Sequence, residues 1–233
     1  MTNGHLFKLS LIWLKYKRGD RLGITERRER EKEQRKNDII DAAERVFFAK
    51  GPENATMDDV ADEAELSKGT LYLYFKNKED LYLAIHLRGN IILKSLFEEA
   101  VKAPKTGIEK TRAIGTAYVD FFHKYPDYFN AMIYYESHDI DFEDQDSVAS
   151  RCLLIGKSTL EILIDAIMTG IKDGSIRSDI DPLKTAISLW GQTTGIIQIA
   201  SLKEKIVLAK QFSLTAKDVI DYNFDLIYHA LKA

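Results

Sequence analysis

The chain has 233 residues, of which 45% are hydrophobic and 30% are charged, a balance typical of folded proteins and unlike that of disordered ones. This length favours a small module joined to a larger one. The single cysteine, Cys152, excludes an intrachain disulfide, and the lack of a Cys/His cluster at ligand spacing predicts no metal site. The net charge of -3 conceals a basic stretch at 15–36, where ten Lys or Arg stand against five Asp or Glu.

The start of the chain carries one apolar run, "LFKLSLIWL" at 6–14. This run contains Lys8 and is much shorter than the roughly 20 residues that span a bilayer, and no small-residue cleavage pattern follows it. We therefore expect no signal peptide, no membrane partner and a cytoplasmic location. Residues 1–26 are predicted to be an N-terminal extension, either disordered or an extra helix.

The prolines are few, and alternation of apolar and polar residues is nowhere sustained, so the sequence predicts an all-α fold of about nine helices. In the first predicted helix, 27–50, apolar residues recur at spacings of three and four from Ile39 to Phe47. Gly51 followed by Pro52 is a stop signal for this helix.

Two short helices are predicted next, separated by a three-residue break. Thr56 and Asp59 have the spacing of a capping box at the start of the second helix. Ser67 is expected to cap a third helix that runs to about Phe75, and Asn77 begins a long fourth one. Helix, tight turn and helix follow each other in this stretch.

The third predicted helix has two different faces. On a helical wheel Leu71 and Phe75 share the side expected to enter the core. Lys68, Gly69, Tyr72 and Leu73 lie across the helix, where a cation, a small residue, a phenol and an apolar group suit a DNA groove. Leu73 is the expected base contact, while Tyr72, Tyr74 and Lys78 would bind phosphates.

Each of these residues alone would more often belong to an ordinary amphipathic helix, because tyrosines at helical spacing usually pack in a core with the hydroxyl at its rim. Their combination favours DNA binding, since two capped helices, a tight turn and a basic arm meet within about 50 residues.

Residues 35–82, "RKNDIIDAAERVFFAKGPENATMDDVADEAELSKGTLYLYFKNKEDLY", closely resemble the DNA-binding region of TetR-family transcriptional regulators. The specific marks are "SKGTLY", "KNKEDL" and the spacing from Thr56 to Ala61. The resemblance implies a helix–turn–helix domain at 27–80 that binds double-stranded operator DNA. It implies the following DNA-binding residues: Thr56, Ser67, Lys68, Gly69, Thr70, Tyr72, Leu73, Tyr74 and Lys78.

Glu65 departs from the family, in which a glycine usually fills this turn position. A glutamate must adopt the backbone conformation of the turn at some strain, and it places an anion near the DNA. The alternative function is therefore an all-helical binding or adaptor protein without specific DNA recognition. An enzyme is not expected, because the five histidines are scattered and no catalytic motif is present.

Residues 81–233 are predicted to form a helical effector-binding and dimerisation domain. The first of its expected helices ends near Val101. The others occupy about 106–124, a short stretch from Pro126, 147–172, 183–202 and 215–231. Gly191 and Gly195 lie four residues apart, which would let another helix approach closely. We predict a homodimer built on the last two helices as a four-helix bundle, as in the family. The alternative is that these glycines pack inside one subunit.

The last predicted helix presents a series of apolar residues to this interface, namely Val219, Tyr222, Phe224, Ile227 and Leu231. An apolar region with a few polar groups also favours a small-molecule effector site, with no cofactor. Its candidate residues are Tyr118, Phe122, Met132, Trp190 and Gln198. Because most members of the family are repressors that a ligand releases from DNA, the resemblance implies a repressor on a palindromic operator.

Overall fold

The computed structural model describes the backbone of residues 3–136, 147–201 and 213–233, and the side chains of 25–134, 147–199 and 213–233. Within these residues the fold is all-α, as predicted, with nine helices. Their bounds are α1 Asn3–Lys50, α2 Met57–Glu63, α3 Lys68–Tyr72, α4 Lys78–Ala100, α5 Gly107–Lys124, α6 Pro126–Glu136, α7 Val148–Asp173, α8 Pro182–Ser201 and α9 Ala216–Leu231.

The chain divides into two compact units, Met1–Leu81 and Tyr82–Ala233. The first unit contains α1, α2, α3 and the start of α4, and the second contains the remaining helices. None of the helices in the described stretches combines the length and the apolar character that a bilayer crossing requires.

Helix α1 begins much earlier than the predicted start near residue 27. It runs unbroken for 48 residues from Asn3 to Lys50, so the extension belongs to the first helix instead of forming a separate one. Polar side chains one turn apart support its middle, where Arg27 Nε lies 2.7 Å from Glu31 Oε1. The helix ends at Gly51, whose φ of 77° is the left-handed conformation that favours glycine.

The first unit is held together by a small core and two ion pairs. Apolar residues of α1, α2 and the α3 region are almost completely buried, namely Ile39, Ala42, Ala43, Phe47, Val60, Ala61, Leu71 and Phe75. Arg45 lies 2.5 Å from Glu63 and Lys50 lies 2.7 Å from Asp59, so both ion pairs tie α1 to α2. Because these pairs are largely exposed, we attribute most of the stability to the buried apolar surface.

The second unit has a larger core formed mainly by α4, α5, α6 and α7. Its buried members include Leu93, Phe97, Ile114, Tyr118, Phe121, Phe129, Met132, Leu163, Ile167 and Ile176. Helix α5 packs against α7, and α8 packs against α9. The Arg177 N–H donates to the carbonyl of Leu231 (2.9 Å), which fastens the loop after α7 to the end of α9.

The start of α5 lies against the end of α7 at very short range. A Cβ atom added to Gly107 would lie 1.9 Å from the backbone nitrogen of Gly170, so only glycine fits there. The same approach caps α5, because the Gly107 N–H donates to Asp173 Oδ2 (2.8 Å) and the Ile108 N–H donates to Ser175 Oγ (3.1 Å). Hydrogen bonds from Ser175 and Gly107 hold the pKa of Asp173 below its usual value.

We predict that Gly107→Ala lowers the free energy of unfolding by about 2–3 kcal/mol, because the added methyl group overlaps backbone atoms that cannot move aside. Gly156→Ala on α7 is the matched control. No described atom lies within 4 Å of its added Cβ, so the change should raise the free energy by up to about 1 kcal/mol. Urea denaturation measures both, and equal effects would contradict the close α5–α7 crossing.

Candidate nucleic-acid interface

Helix α2 begins with the capping box that the sequence predicts. The Asp59 N–H donates to Thr56 Oγ1 (3.2 Å), and the Thr56 N–H donates to Asp59 Oδ2 (3.0 Å). Lys50 and the bonds from Thr56 lower the pKa of Asp59, which keeps the cap charged.

The turn after α2 is a Schellman motif with a glutamate at its left-handed position. The Leu66 N–H donates to the carbonyl of Ala61 (2.9 Å), and the Glu65 N–H donates to that of Asp62 (3.1 Å). This pattern requires a left-handed residue between the two helices, and Glu65 accordingly has a φ of 53°. The sequence prediction of a strained glutamate is confirmed, and the turn forms in spite of it.

Helix α3 is short and well capped. Ser67 Oγ accepts a hydrogen bond from the Thr70 N–H (3.2 Å) and lies 2.8 Å from the Thr70 hydroxyl. The helix ends at Tyr72, earlier than the predicted Phe75, because the Leu73 and Tyr74 N–H groups donate to carbonyls only three residues back. The Ser67 and Thr70 hydroxyls therefore serve the local structure first.

The exposed side of the α3 region consists of the residues predicted to face DNA. Leu73 is 81% exposed and Tyr72 is 51% exposed, although both are large and apolar enough to prefer a core. Gly69 is exposed as well, and a backbone or base could approach it closely. Leu71 and Phe75 are fully buried on the other side, as the helical wheel predicts.

The two lysines of this surface are held by neighbouring groups. Lys68 Nζ donates to Asp58 Oδ2 (2.6 Å), and this bond raises the pKa of Lys68. Lys78 Nζ donates to the carbonyl of Pro52 (2.8 Å) at the start of α4. An ammonium group carries three hydrogens, so both can still bind a phosphate oxygen. Sequence reasoning missed Asp58 as the partner of Lys68, since the two residues meet only through the turn.

All nine predicted DNA-binding residues therefore belong to the first unit, seven of them to α2, α3 and their caps, while Tyr74 follows α3 and Lys78 begins α4. Thr56, Ser67 and Thr70 take part in caps, Tyr74 and Lys78 are half-buried, and the others lie at the surface. Lys36 was not singled out, yet its ammonium lies 5.6 Å from the ring centroid of Phe75, beside the end of α3. The basic composition of 15–36 was the only signal for it.

A narrow apolar cavity lies within the second unit, between α5, α7, α8 and α9. Its volume is about 50 Å³, and its walls are Phe97, Ile108, Thr111, Arg112, Ile114, Gly115, Tyr118, Leu163, Leu189, Trp190, Thr193, Phe224, Ile227, Tyr228 and Leu231. Of the five predicted effector residues, Tyr118 and Trp190 line it, and the Tyr118 hydroxyl lies 3.0 Å from that of Thr194.

The other three predicted effector residues lie outside this cavity wall. Met132 is buried in the core, Phe122 packs against the Phe129 ring with centroids 5.1 Å apart, and Gln198 is half-buried on α8. Sequence reasoning missed that α9 lines the cavity. Apolar residues recur at helical spacing on both the inward and the outward side of α9, so periodicity alone does not separate the two.

Helices α8 and α9 also expose apolar side chains in regular rows, which we call the α8–α9 face. Its members are Leu183, Ile187, Gly191, Gly195 and Ile199 on α8, and Tyr222 and Leu226 on α9. Among the described residues, no atom lies within 4 Å of a Cβ added to Gly191 or Gly195, so neither glycine packs closely against another described part of the chain.

Three residues that the sequence placed at the α9 interface have a different position. Phe224, Ile227 and Leu231 line the cavity, because α9 turns this side toward α5 and α8. Leu226, which is 48% exposed, takes their place beside Tyr222.

These features define a helix–turn–helix protein, and comparison with known proteins agrees. Residues 39–85 match the family of bacterial regulatory proteins known as the tetR family. The HTH-type transcriptional activator FasR of Mycolicibacterium smegmatis is 35% identical over 105 residues, which are 45% of this chain and only 44% of FasR. The HTH-type transcriptional regulator YhgD of Bacillus subtilis is 30% identical over 155 residues, 65% of this chain and 76% of YhgD.

The solved structures agree on the fold. The transcriptional regulator FadR from Bacillus subtilis, in complex with stearoyl-CoA, aligns with 83% of this chain and 97% of its own at a TM-score of 0.63 and 21% identity. The chain belongs to the TetR family of transcriptional regulators. The family that it matches and the relatives named above are transcriptional regulators, as the sequence predicts.

We predict that Glu65→Gly raises the free energy of unfolding by up to about 1 kcal/mol, because glycine adopts a positive φ without the clash that a Cβ causes. Glu65→Ala is the control, since it removes the same carboxylate but keeps the Cβ. Chemical denaturation should show the gain for glycine only. A similar gain for alanine would mean that charge repulsion, and not backbone strain, destabilises the turn.

Proposed function

We propose that this chain is a homodimeric repressor that binds a palindromic operator through α3 of each protomer. We further propose that a small molecule with an apolar chain enters the second unit and releases the protein from DNA. The observation that carries the DNA-binding part is the 81% exposure of Leu73, at the tip of a capped helix–turn–helix.

The chemistry of the exposed face supports contact with a major groove. Leu73 can touch the methyl group of thymine, and Gly69 leaves room for the edge of a groove. Tyr72, Tyr74 and the ammonium groups of Lys68 and Lys78 suit phosphate oxygens, which fix the register of a helix without reading sequence. The amide groups at the Thr56 end of α2 would add a further phosphate contact.

A dimer is needed because one helix reads only a few base pairs. The α8–α9 face supports it, since a row of exposed apolar residues at spacings of four surrounds two glycines that leave space for a second helix. A partner protomer placing its own α8 and α9 there would form a four-helix bundle. Two half-sites one turn of DNA apart would require the two recognition helices to lie about 34 Å apart.

The cavity supports an effector with an apolar chain and an anionic end. Its walls are almost entirely apolar, whereas Arg112 lies at one side, with Nη1 3.6 Å from Asp225 Oδ1. An acyl chain would fit the apolar walls and a carboxylate or phosphate would suit the guanidinium. The complex of the related FadR with stearoyl-CoA suggests this class, although the present cavity must widen to admit such a chain.

The cavity also suggests how the effector could act. It is bounded by α8 and α9, the helices that carry the proposed dimer face. A ligand that widens it would move these helices and so favour one arrangement of the two protomers over another. An effector can change DNA affinity only through such a difference in its own affinity for the two arrangements.

Selection of bound sequences from a random duplex library should yield a palindromic consensus. Leu73→Ala should weaken consensus binding by on the order of tenfold and leave random DNA almost unaffected, because the lost contact reads a base. Leu154→Ala on α7, where the leucine is 64% exposed, is the control and should change neither affinity. Equal loss on both DNAs would assign Leu73 to packing, and no enrichment with the folded protein would favour the adaptor alternative.

Gly191→Leu should convert the protein to a monomer at micromolar concentration, because the new side chain occupies the space reserved for the partner helix. Gly156→Leu on α7, where a Cβ also meets no described atom within 4 Å, should remain a dimer. Sedimentation velocity measures both, with circular dichroism to show that each variant is folded. A Gly191→Leu protein that remains dimeric would rule out the α8–α9 face as the interface.

Stearoyl-CoA, used as the probe, should lower the affinity for the selected operator at least tenfold in a fluorescence-anisotropy titration. Leu189→Trp, which fills the cavity wall, should abolish this response, whereas Met168→Trp on the exposed side of α7 should keep it. A response that survives Leu189→Trp would place the effector elsewhere, and a rise in DNA affinity would reverse the proposed sign.

A further inference from the structure

The charged residues of α1 just before the core are segregated onto two sides of the helix. Residues 26–36 contain six Lys or Arg and four Glu. At about 100° per residue, the buried residues from Ile39 to Phe47 define the direction of the core. Four cations lie within about 65° of that direction, and we call them the basic face of α1: Arg28, Lys32, Arg35 and Lys36.

The opposite side of α1 has a different balance. Arg27 and Arg30 lie there together with Glu26, Glu31 and Glu33, all about 95° or more from the core direction. Glu29 lies at the edge of the basic face, about 57° away, and is its one carboxylate in this stretch. The basic face therefore carries a net charge of about +3 over less than three helical turns.

The cations of the basic face lack the pairing seen on the opposite side. Arg27 has its ion pair with Glu31 at 2.7 Å. Among the described side chains, by contrast, the structure gives Arg28, Lys32 and Arg35 no carboxylate within 4 Å. Arg28 and Lys32 are four residues apart, a spacing at which like charges destabilise a helix. A polyanion lying along this face would remove that repulsion.

The basic face begins beside the end of the α3 region. Lys36 Nζ lies 5.6 Å from the centroid of the Phe75 ring, and Phe75 is buried two residues after the exposed Leu73. From Lys36 the face extends about 12 Å along α1 to Arg28, at 1.5 Å per residue. Phosphates of one DNA strand recur every 3.4 Å along the axis, so this length covers roughly three or four of them.

We propose that the basic face of α1 is a second DNA-contact surface, which binds phosphates flanking the base pairs that α3 reads. This inference rests on the proposed DNA-binding function. Phosphate contacts carry no sequence information, so the face adds affinity and footprint and leaves the consensus unchanged. The partner is a duplex polyanion, because the cations lie beside the α3 surface proposed to bind duplex DNA and no aromatic residue lies among them to stack on unpaired bases.

The test compares Arg28→Gln/Arg35→Gln with Arg27→Gln/Arg30→Gln in the full chain. Both double variants remove two positive charges from the same stretch and insert the same strong helix former, but on opposite sides of α1. Affinity is measured against salt concentration for the selected operator and for a scrambled duplex. Thermal unfolding and sedimentation show that each variant is folded and has the oligomeric state of the wild type.

The basic-face variant should flatten the log–log salt slope by up to about 3.6 per dimer, at ~0.9 per phosphate released, and should weaken both DNAs by the same factor. The opposite-face variant should change the slope much less. Equal flattening by both variants would reflect general attraction and overturn the proposed contact. An unchanged slope in a wild-type-like binder overturns this inference alone, whereas a wild-type protein that binds no DNA overturns the proposed function as well.

Discussion

The exposed surface of α3 depends on the burial of Leu71 and Phe75. A helix of five residues has almost no stability of its own, because nucleation costs more than its few hydrogen bonds return. The two buried side chains hold α3 and the following turn against α1 and α2. They leave the large side chains of Tyr72 and Leu73 exposed at the surface. The core thus determines which side chains of this region are exposed.

The turn before α3 keeps one residue in a strained backbone conformation. Glu65 occupies the left-handed position of the Schellman motif, where a residue with a Cβ is disfavoured. The strain is compatible with the fold because backbone hydrogen bonds on both sides and the Ser67 cap hold the geometry. Strained residues persist where the surroundings over-determine them.

Most of the first unit could be predicted from the sequence because its signals are local. Capping boxes, a glycine stop and helical periodicity each act within a few residues, so the helices and the exposed face of α3 follow from them. The early start of α1 could not be predicted in this way, since a charged stretch without an apolar period has no clear helical signal. Helix α3 ends early because hydrogen bonds between residues three apart tighten its last turn. The helix propensities of the residues do not predict these bonds.

Contacts between residues that are far apart in the sequence were harder to predict. The sequence identified Tyr118 and Trp190, but the cavity also requires residues from α9, and α9 shows apolar residues on more than one side. Only the packing of α9 against α5 and α8 decides that Phe224 faces inward and Tyr222 outward. The pairing of Gly107 with Gly170 likewise joins positions far apart in the chain, and nothing local to either one indicates it.

If Lys68 contacts DNA as proposed, its ion pair with Asp58 changes the ion balance of that binding. In the unbound protein the carboxylate already occupies the place of a phosphate, so contact with DNA at Lys68 is an exchange of one anion for another. The phosphate gives up a counterion, and Asp58, left without its lysine, attracts one from solution. The ion that the phosphate releases and the ion that Asp58 binds therefore offset each other at this position. The number of lysines and arginines that contact DNA would therefore exceed the net number of ions that binding releases.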